Sequence, residues 1–388
     1  MNGSPFRPAR RLQGIEKSAI RQFFDRAPAG SINLGLGEPD LPTPDVIRQA
    51  AVRAIQGEQN GYTMHAGLPA LRERVVSEYP HMGAGIDRVV VTAGSQEALY
   101  LALTTLVDEG DEVLVPDPGF VAYPTIVRMA GGTPVPYRLP GARDFELDID
   151  DFRRQISPRT KVVVCVSPSN PTGRVLAPKD LEAMAAALRD SGAIVVSDEI
   201  YRDLYFGAAR PRSISEYYPA TVVVSGLSKS MSMTGWRLGW LVGPAEIVKS
   251  ALVLHGYVTT CASAVSQKAA LAAWTPEAET GRAGMRRTFR GRRDHLLSLL
   301  GDQLGLKAVS PDGAFYTMVN VSSYGRAIAV AESLLLAGVI TVPGGTFGAE
   351  TEDFLRLSFC VAEAALGEGV RRMGRALSQL KPREELPV

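Results

Sequence analysis

Cysteine, histidine and lysine are scarce in this 388-residue chain, which has three cysteines and four histidines. Cys165, Cys261 and Cys360 stand far apart, with neither the CxxC spacing of a metal site nor the density of a disulfide framework. Buried thiols in a reducing, cytoplasmic setting are the expectation, with no metal. The few lysines leave little choice for a catalytic amine. No charge of one sign dominates: 42 Lys plus Arg face 41 Asp plus Glu, a formal net charge of +1. That balance excludes the basic footprint of a nucleic-acid partner. No apolar run approaches the roughly 18–20 residues of a membrane span, and the opening MNGSPFRPARRLQGIEKSAI carries charges without a hydrophobic signal core. What the chain does have is an apolar fraction of 45%, enough for a large interior. Its length exceeds the roughly 250–300 residues that one core fills, so two lobes are expected.

From residue 46 to 275, short β-rich runs alternate with amphipathic stretches, the pattern of a parallel sheet built from crossover units. The clearest strands are Val89–Thr92, Glu112–Pro116, Lys161–Ser167, Ala193–Ser197 and Val222–Ser225, with helices at Ser95–Leu106, Pro178–Ser191 and Ser263–Trp274. VVVCVS and AIVVS are apolar on both faces, as a sheet covered on each side requires. The fold class is therefore α/β: three layers, a mostly parallel sheet flanked by helices. Beyond Pro276 the pattern changes to a long charged helix through Arg282–Leu300, then strand, turn and strand in GLKAVSPDGAFYTMVNV. A helix at Arg326–Ala337, strands at VITVPG and DFLRLSFCV, and a last helix toward Leu380 follow. Residues 276–388 read as a smaller α+β domain, joined by 1–45 with its helical RRLQGIEKSAIRQFFDRA.

Four motifs carry chemistry. Lys229, in VVVSGLSKSMSMTGWRLGW, follows a buried-type strand among small and hydroxylated residues that cannot cover it. Desolvation, or the nearby Arg237, would lower its pKa toward a neutral, nucleophilic amine, while the guanidinium fork of Arg237 suits a phosphate. A solvated loop lysine is the alternative. Asp198, in IVVSDEIY, sits at the carboxyl edge of a strand, where open α/β sheets bind ligands. It is either a helix N-cap or the counter-ion of a protonated ring nitrogen, with Tyr201 placed to reach a ring hydroxyl. Asn170, in SPSNPTG, offers donor and acceptor across the same crevice, although a type I turn explains the same letters. Gly94, Ser95 and Gln96 open a helix after a strand, and the free amides there can cradle a phosphate.

In combination with LGLGEPDLPTP, GYTMHAGLPALR, PDPGFVAYP, GAFY, VPGGTFG and FLRLSF, these motifs resemble the fold type I pyridoxal-phosphate enzymes, within the class I aminotransferases, over nearly the whole chain. The resemblance implies pyridoxal 5′-phosphate (PLP) held covalently by Lys229. Asp198 would pair with the pyridine nitrogen, Tyr201 with the ring oxygen, and Asn170 with that oxygen or the substrate carboxylate. It implies that Phe120 stacks on the cofactor and that Ser95, Gln96, Ser228 and Arg237 hold its phosphate, with Tyr62 reaching the phosphate of a neighbouring subunit in a homodimer. Arg356 would clamp the substrate α-carboxylate, with the backbone of Gly37 closing over it. Gly226 departs from the pattern: many relatives have a phosphate-binding serine three residues before the lysine, so one phosphate contact is expected to be absent or replaced.

The implied reaction moves an amino group from an L-amino acid to a 2-oxo acid such as 2-oxoglutarate. The segment SAIRQFF, and no obvious second arginine for a side-chain carboxylate, points to aromatic or apolar donors, with aspartate as the alternative. A C–S β-lyase or another α-carbon enzyme on the same scaffold remains open. A regulatory protein that only binds the cofactor is a remote reading, since no basic helix-turn-helix segment precedes residue 30.

Overall fold

The expected alternation of strands and helices closes into one seven-stranded sheet. Its strands lie in the order Val89–Thr92, Gly239–Val242, Thr221–Gly226, Ile194–Asp198, Thr160–Val166, Glu112–Asp117 and Thr133–Arg138. All pairings are parallel except the two made by Gly239–Val242. The computed structural model describes residues 9–380 apart from 16, 18, 58 and 59. Val90, Val113, Val164, Val196 and Val224 point to one face, where helices Ser95–Leu106, Ala122–Met129 and Ala245–Val258 cover them. Val91, Val163, Val195 and Val223 point to the other, under helices such as Asp45–Gln56 and Pro178–Leu188. Burial on both faces is why these strands read as continuous apolar runs; each buried valine contributes about 1.5–3 kcal/mol.

Two strands of this sheet escaped the sequence reading. Thr133–Arg138 contains two prolines, which an edge strand tolerates because its outer amides need no partner. Gly239–Val242 is four residues long and runs antiparallel between two other strands, so no crossover helix announces it.

Beyond this sheet, a second core is built by both chain ends. Phe23 and Leu34 pack with Phe289, Phe315, Phe359, Leu366 and Val370. Arg10–Leu12 and Ala19–Asp25 are helical, while residues 16 and 18 of the expected opening helix lie outside the described residues. The long helix begins earlier than expected, at Pro276, where Thr275 caps it by accepting a hydrogen bond from the Ala278 amide. A three-stranded antiparallel sheet places Phe354–Ser358 between Val342–Pro343 and Tyr316–Asn320. Two details correct the sequence reading. The first strand expected in GLKAV shrinks to a single bridge between Ala308 and Val319, because Pro311 and Gly313 turn the chain at once. VITVPG divides at Thr341: Val339–Ile340 pairs in parallel with Ile32–Asn33, and Val342–Pro343 joins the other sheet. Ile200, Tyr201, Leu204 and Phe206, just after Asp198, also enter this second core.

Phe289 is fully buried, with its ring 5.6 Å from that of Phe315. Phe289→Ala should lower the unfolding free energy by about 3–5 kcal/mol in a urea titration. Leu336→Ala, at a site 83% exposed, should change it by no more than about 0.5 kcal/mol.

Candidate active site

Where the carboxyl ends of the parallel strands meet the second core, a cavity of about 400 Å³ opens. Lys229 lines it three residues beyond the strand Thr221–Gly226, and its Nζ donates to the Gly37 carbonyl at 2.9 Å. Burial lowers the pKa of this amine; Cys360 and Glu38 oppose the shift, while Arg356 and Arg237 add to it. The loop lysine is therefore enclosed, not solvated.

Asp198 ends the strand Ile194–Asp198 and is buried. Burial pushes its pKa up to about 6, even though the Tyr123 hydroxyl donates to Oδ2 at 2.9 Å and the Ile200 amide to Oδ1 at 3.2 Å. A carboxylate held so far above its ordinary range is poised for a cationic partner. Tyr201 shares the cavity, and its hydroxyl lies 3.0 Å from that of Tyr316. Burial raises both phenols, so both stay protonated near neutral pH.

Arg356 lies on the central strand of the small sheet, with Leu355 and Leu357 turned into the core as the alternation predicts. It is 2% exposed. Its Nη1 donates to Asn170 Oδ1 at 2.8 Å and its Nη2 to the Gly35 carbonyl at 2.6 Å. The rings of Tyr316 and Phe347 lie 4.4 and 4.6 Å from its guanidinium carbon. Nε is buried without a hydrogen-bond partner, which leaves one donor of the fork for a carboxylate. Gly37 closes over this corner because a Cβ there would fall 1.6 Å from the Tyr316 hydroxyl oxygen.

Ser95, Gln96, Ser228 and Arg237 line the far end of the cavity, and Phe120 lines its side. Gly94, at φ 88°, lies behind them; a Cβ there would come within 2.6 Å of Arg237 Nη2. The Gly226 departure has a structural reason. Gly226 pairs with Gly239, and a Cβ on Gly226 would meet the Leu238 carbonyl at 2.8 Å. Gly239 in turn presses on the helix start, where its Cβ would lie 2.4 Å from the Ser95 amide nitrogen. A serine at 226 would force this seam apart. Tyr62 is 89% exposed and lies away from the cavity.

The sequence reading missed Tyr123, Tyr316, Phe347 and the cavity wall formed by Ile20, Arg21 and Phe24. Tyr316 and Phe347 stand within GAFY and VPGGTFG, so the motifs held the signal without saying which ring mattered. Arg21 belongs to SAIRQFF, the segment that offered no obvious second arginine; its Nε lies 3.8 Å from Asp25.

The same fold occurs in known proteins. The chain matches the family of class I and II aminotransferases over residues 29–373. It is 37% identical to an aspartate aminotransferase of Geobacillus stearothermophilus, covering 95% of this chain and 98% of that one. An aromatic-amino-acid aminotransferase of Thermococcus litoralis is 33% identical, over 96% of this chain and 98% of its own. The solved structure of Thermus thermophilus aspartate aminotransferase with maleate superposes with a TM-score of 0.90 at 35% identity, covering 97% of this chain and all of that one. A half-buried lysine, a buried carboxylate and a buried arginine thus converge within a fold shared along nearly the whole length, and this chain belongs to the class I and II aminotransferase family.

Proposed function

We propose that the cavity binds PLP and that the enzyme moves the amino group of an L-amino acid to a 2-oxo acid such as 2-oxoglutarate, as a cytoplasmic homodimer. One observation carries this reading: Lys229, Asp198 and Arg356, all withdrawn from water, line one cavity. The residues fit the cofactor. A buried carboxylate with a raised pKa suits a ring cation, and a glycine cradle beside Arg237 suits a phosphate. When bound, PLP supplies an aldehyde that exchanges amines and a ring that accepts carbanion charge.

Lys229 would hold the cofactor covalently through its amine and would carry the proton at the substrate α-carbon, a task its lowered pKa serves. Asp198 keeps the ring nitrogen charged, and Tyr123 orients that carboxylate. Tyr201 donates to the ring oxygen from a phenol that burial keeps protonated. Asn170 and Arg356 receive the α-carboxylate, and Gly37 covers it. Phe120 stacks on the ring; Gly94, Ser95, Gln96, Ser228 and Arg237 hold the phosphate. The described residues of 1–45 and 276–388 act as one lobe against those of 46–275. Ile20, Phe24, Leu36 and Val121 make the outer wall mainly apolar, which favours aromatic or apolar donors. Aspartate is the alternative, and it would call on Arg21.

Tyr62, Met64, Val253, Tyr257 and Val258 are all at least half exposed, and His65 lies beside Gly256, so these apolar side chains come from adjoining segments. A second copy would cover them and bring Tyr62 to its partner's phosphate.

Four measurements test the reading. Borohydride reduction and peptide mapping should label Lys229 and no other lysine. Arg356→Lys should lower kcat/KM about tenfold to a hundredfold for every donor alike, because the fork is lost and the charge kept. A donor screen should favour phenylalanine or leucine over aspartate, with Arg21→Gln affecting aspartate alone. Inactive Lys229→Ala and Tyr62→Phe proteins, mixed under subunit exchange, should regain activity, whereas fully active monomers in sedimentation would exclude the shared site.

Asp198 adds a dependence on pH. Its folded pKa of about 6 exceeds the ordinary 3.8, so in cofactor-free protein its stability contribution is complete below about pH 4 and lost as pH rises through 6. Asp198→Asn should therefore stabilise the cofactor-free protein at pH 8 relative to the original, with the gap closing by pH 4 in urea titrations. The same substitution should cost about a hundredfold to a thousandfold in turnover.

A further inference from the structure

We propose that Glu97, His255 and Thr259 form a positioning triad for the cofactor phosphate, acting through the peptide of Ala93. The inference rests on the reading that Gly94–Gln96 and Arg237 hold that phosphate. Glu97 lies in the first turn of helix Ser95–Leu106, and its side chain folds back so that Oε2 accepts the Ala93 amide. Its other oxygen, Oε1, accepts from His255 Nδ1 at 3.0 Å and from the Thr259 hydroxyl. The Glu97 side chain is 8% exposed and that of His255 is fully buried. Burial alone would raise the Glu97 carboxyl, but the bonds from His255, Thr259 and Ala93 outweigh it and the pKa is lowered.

Ala93 is thereby held through both of its flanking peptide groups. Its N–H points to Glu97, and its carbonyl faces Arg237 Nη2 at 3.5 Å. The next residue is Gly94, whose positive φ leads the chain into the helix, and the two residues that follow, Ser95 and Gln96, line the cavity. A carboxylate in the first turn of this helix is an odd choice beside a phosphate, because like charges repel. The geometry resolves this: both Glu97 oxygens are engaged by donors, and neither Glu97 nor Ala93, His255 or Thr259 lines the cavity. The side chain orients the loop and does not compete for the anion's place. His255 and Thr259 come from the end of helix Ala245–Val258 and the residue after it, so the brace ties the phosphate loop to a second helix.

A merely structural brace would weaken every ligand of the cavity alike, whereas a phosphate-positioning one acts only on ligands that carry a phosphate. The experiment compares PLP with pyridoxal, which lacks the phosphate, by absorbance titration of the full-length cofactor-free protein. Glu97→Ala and His255→Leu should weaken PLP about tenfold or more while pyridoxal changes little, since a buried hydrogen bond to a charged group is lost. His255→Asn keeps a donor near the Nδ1 position and should stay within about threefold of the original protein. Thr259→Val, at a half-buried site where misfolding is not at issue, should lower the preference for PLP by a few-fold. Equal weakening of both ligands, or no change in their ratio in Thr259→Val, overturns the triad. Arg237→Ala is the control for the phosphate site itself: if it leaves the preference for PLP intact, the phosphate lies elsewhere, and both the assignment of the cup and the triad fall.

Discussion

A guanidinium enclosed between two aromatic rings joins the two halves of this chain. Arg356 belongs to the small antiparallel sheet, yet its Nη1 bonds Asn170 at the end of a large-sheet strand and its Nη2 bonds Gly35 of the amino-terminal segment. A buried charge is tolerated only when its donors are met, and here Asn170 and Gly35 meet two of them while Tyr316 and Phe347 face the π-cloud. The unpartnered Nε is the remainder. The contact also ties the small sheet to the end of the large one. Asp117 accepts the amides of Ala349 and Glu350 from across the same boundary, close to the Phe347 that covers the arginine.

The large sheet contributes what its topology allows. Parallel strands direct their carboxyl ends to one side, so Asp198, Asn170 and the loop bearing Lys229 arrive together although they are distant in sequence. Each pays a desolvation penalty there, and the penalties run in useful directions: the carboxyl rises toward 6 and the amine falls. In the proposed function, a cationic ring and a carboxylate would offset these penalties.

Close backbone approach sets the other end of the cavity. Gly226 against Gly239, and Gly239 against Ser95, stack three backbones with no room for a Cβ, and Gly94 leaves the space that Arg237 fills. Gly226 is thus part of a packing solution beside the cavity that Ser95, Ser228 and Arg237 line. Glu97, with His255 and Thr259 behind it, holds that arrangement from the far side.

The sequence by itself determined the three-layer sheet, because strands buried on both faces must be apolar throughout, and it pointed to Lys229, Asp198, Asn170 and Arg356, all of which line the cavity, because each belongs to one of an ordered set of motifs. Its boundaries were good to a few residues: Lys161–Ser167 became Thr160–Val166, and Pro178–Ser191 became Pro178–Leu188. It could not reveal Gly239–Val242, a short antiparallel strand whose place depends on two neighbours remote in sequence. Nor could it choose Tyr123 among twelve tyrosines, or find His255 behind Glu97, since these pairings span 75 and 158 residues. Hydrophobic periodicity is a local property and survives in one dimension. Hydrogen bonds between distant side chains, and the exclusion of water that gives them their strength, exist only once the sheet and the second core have closed on one another.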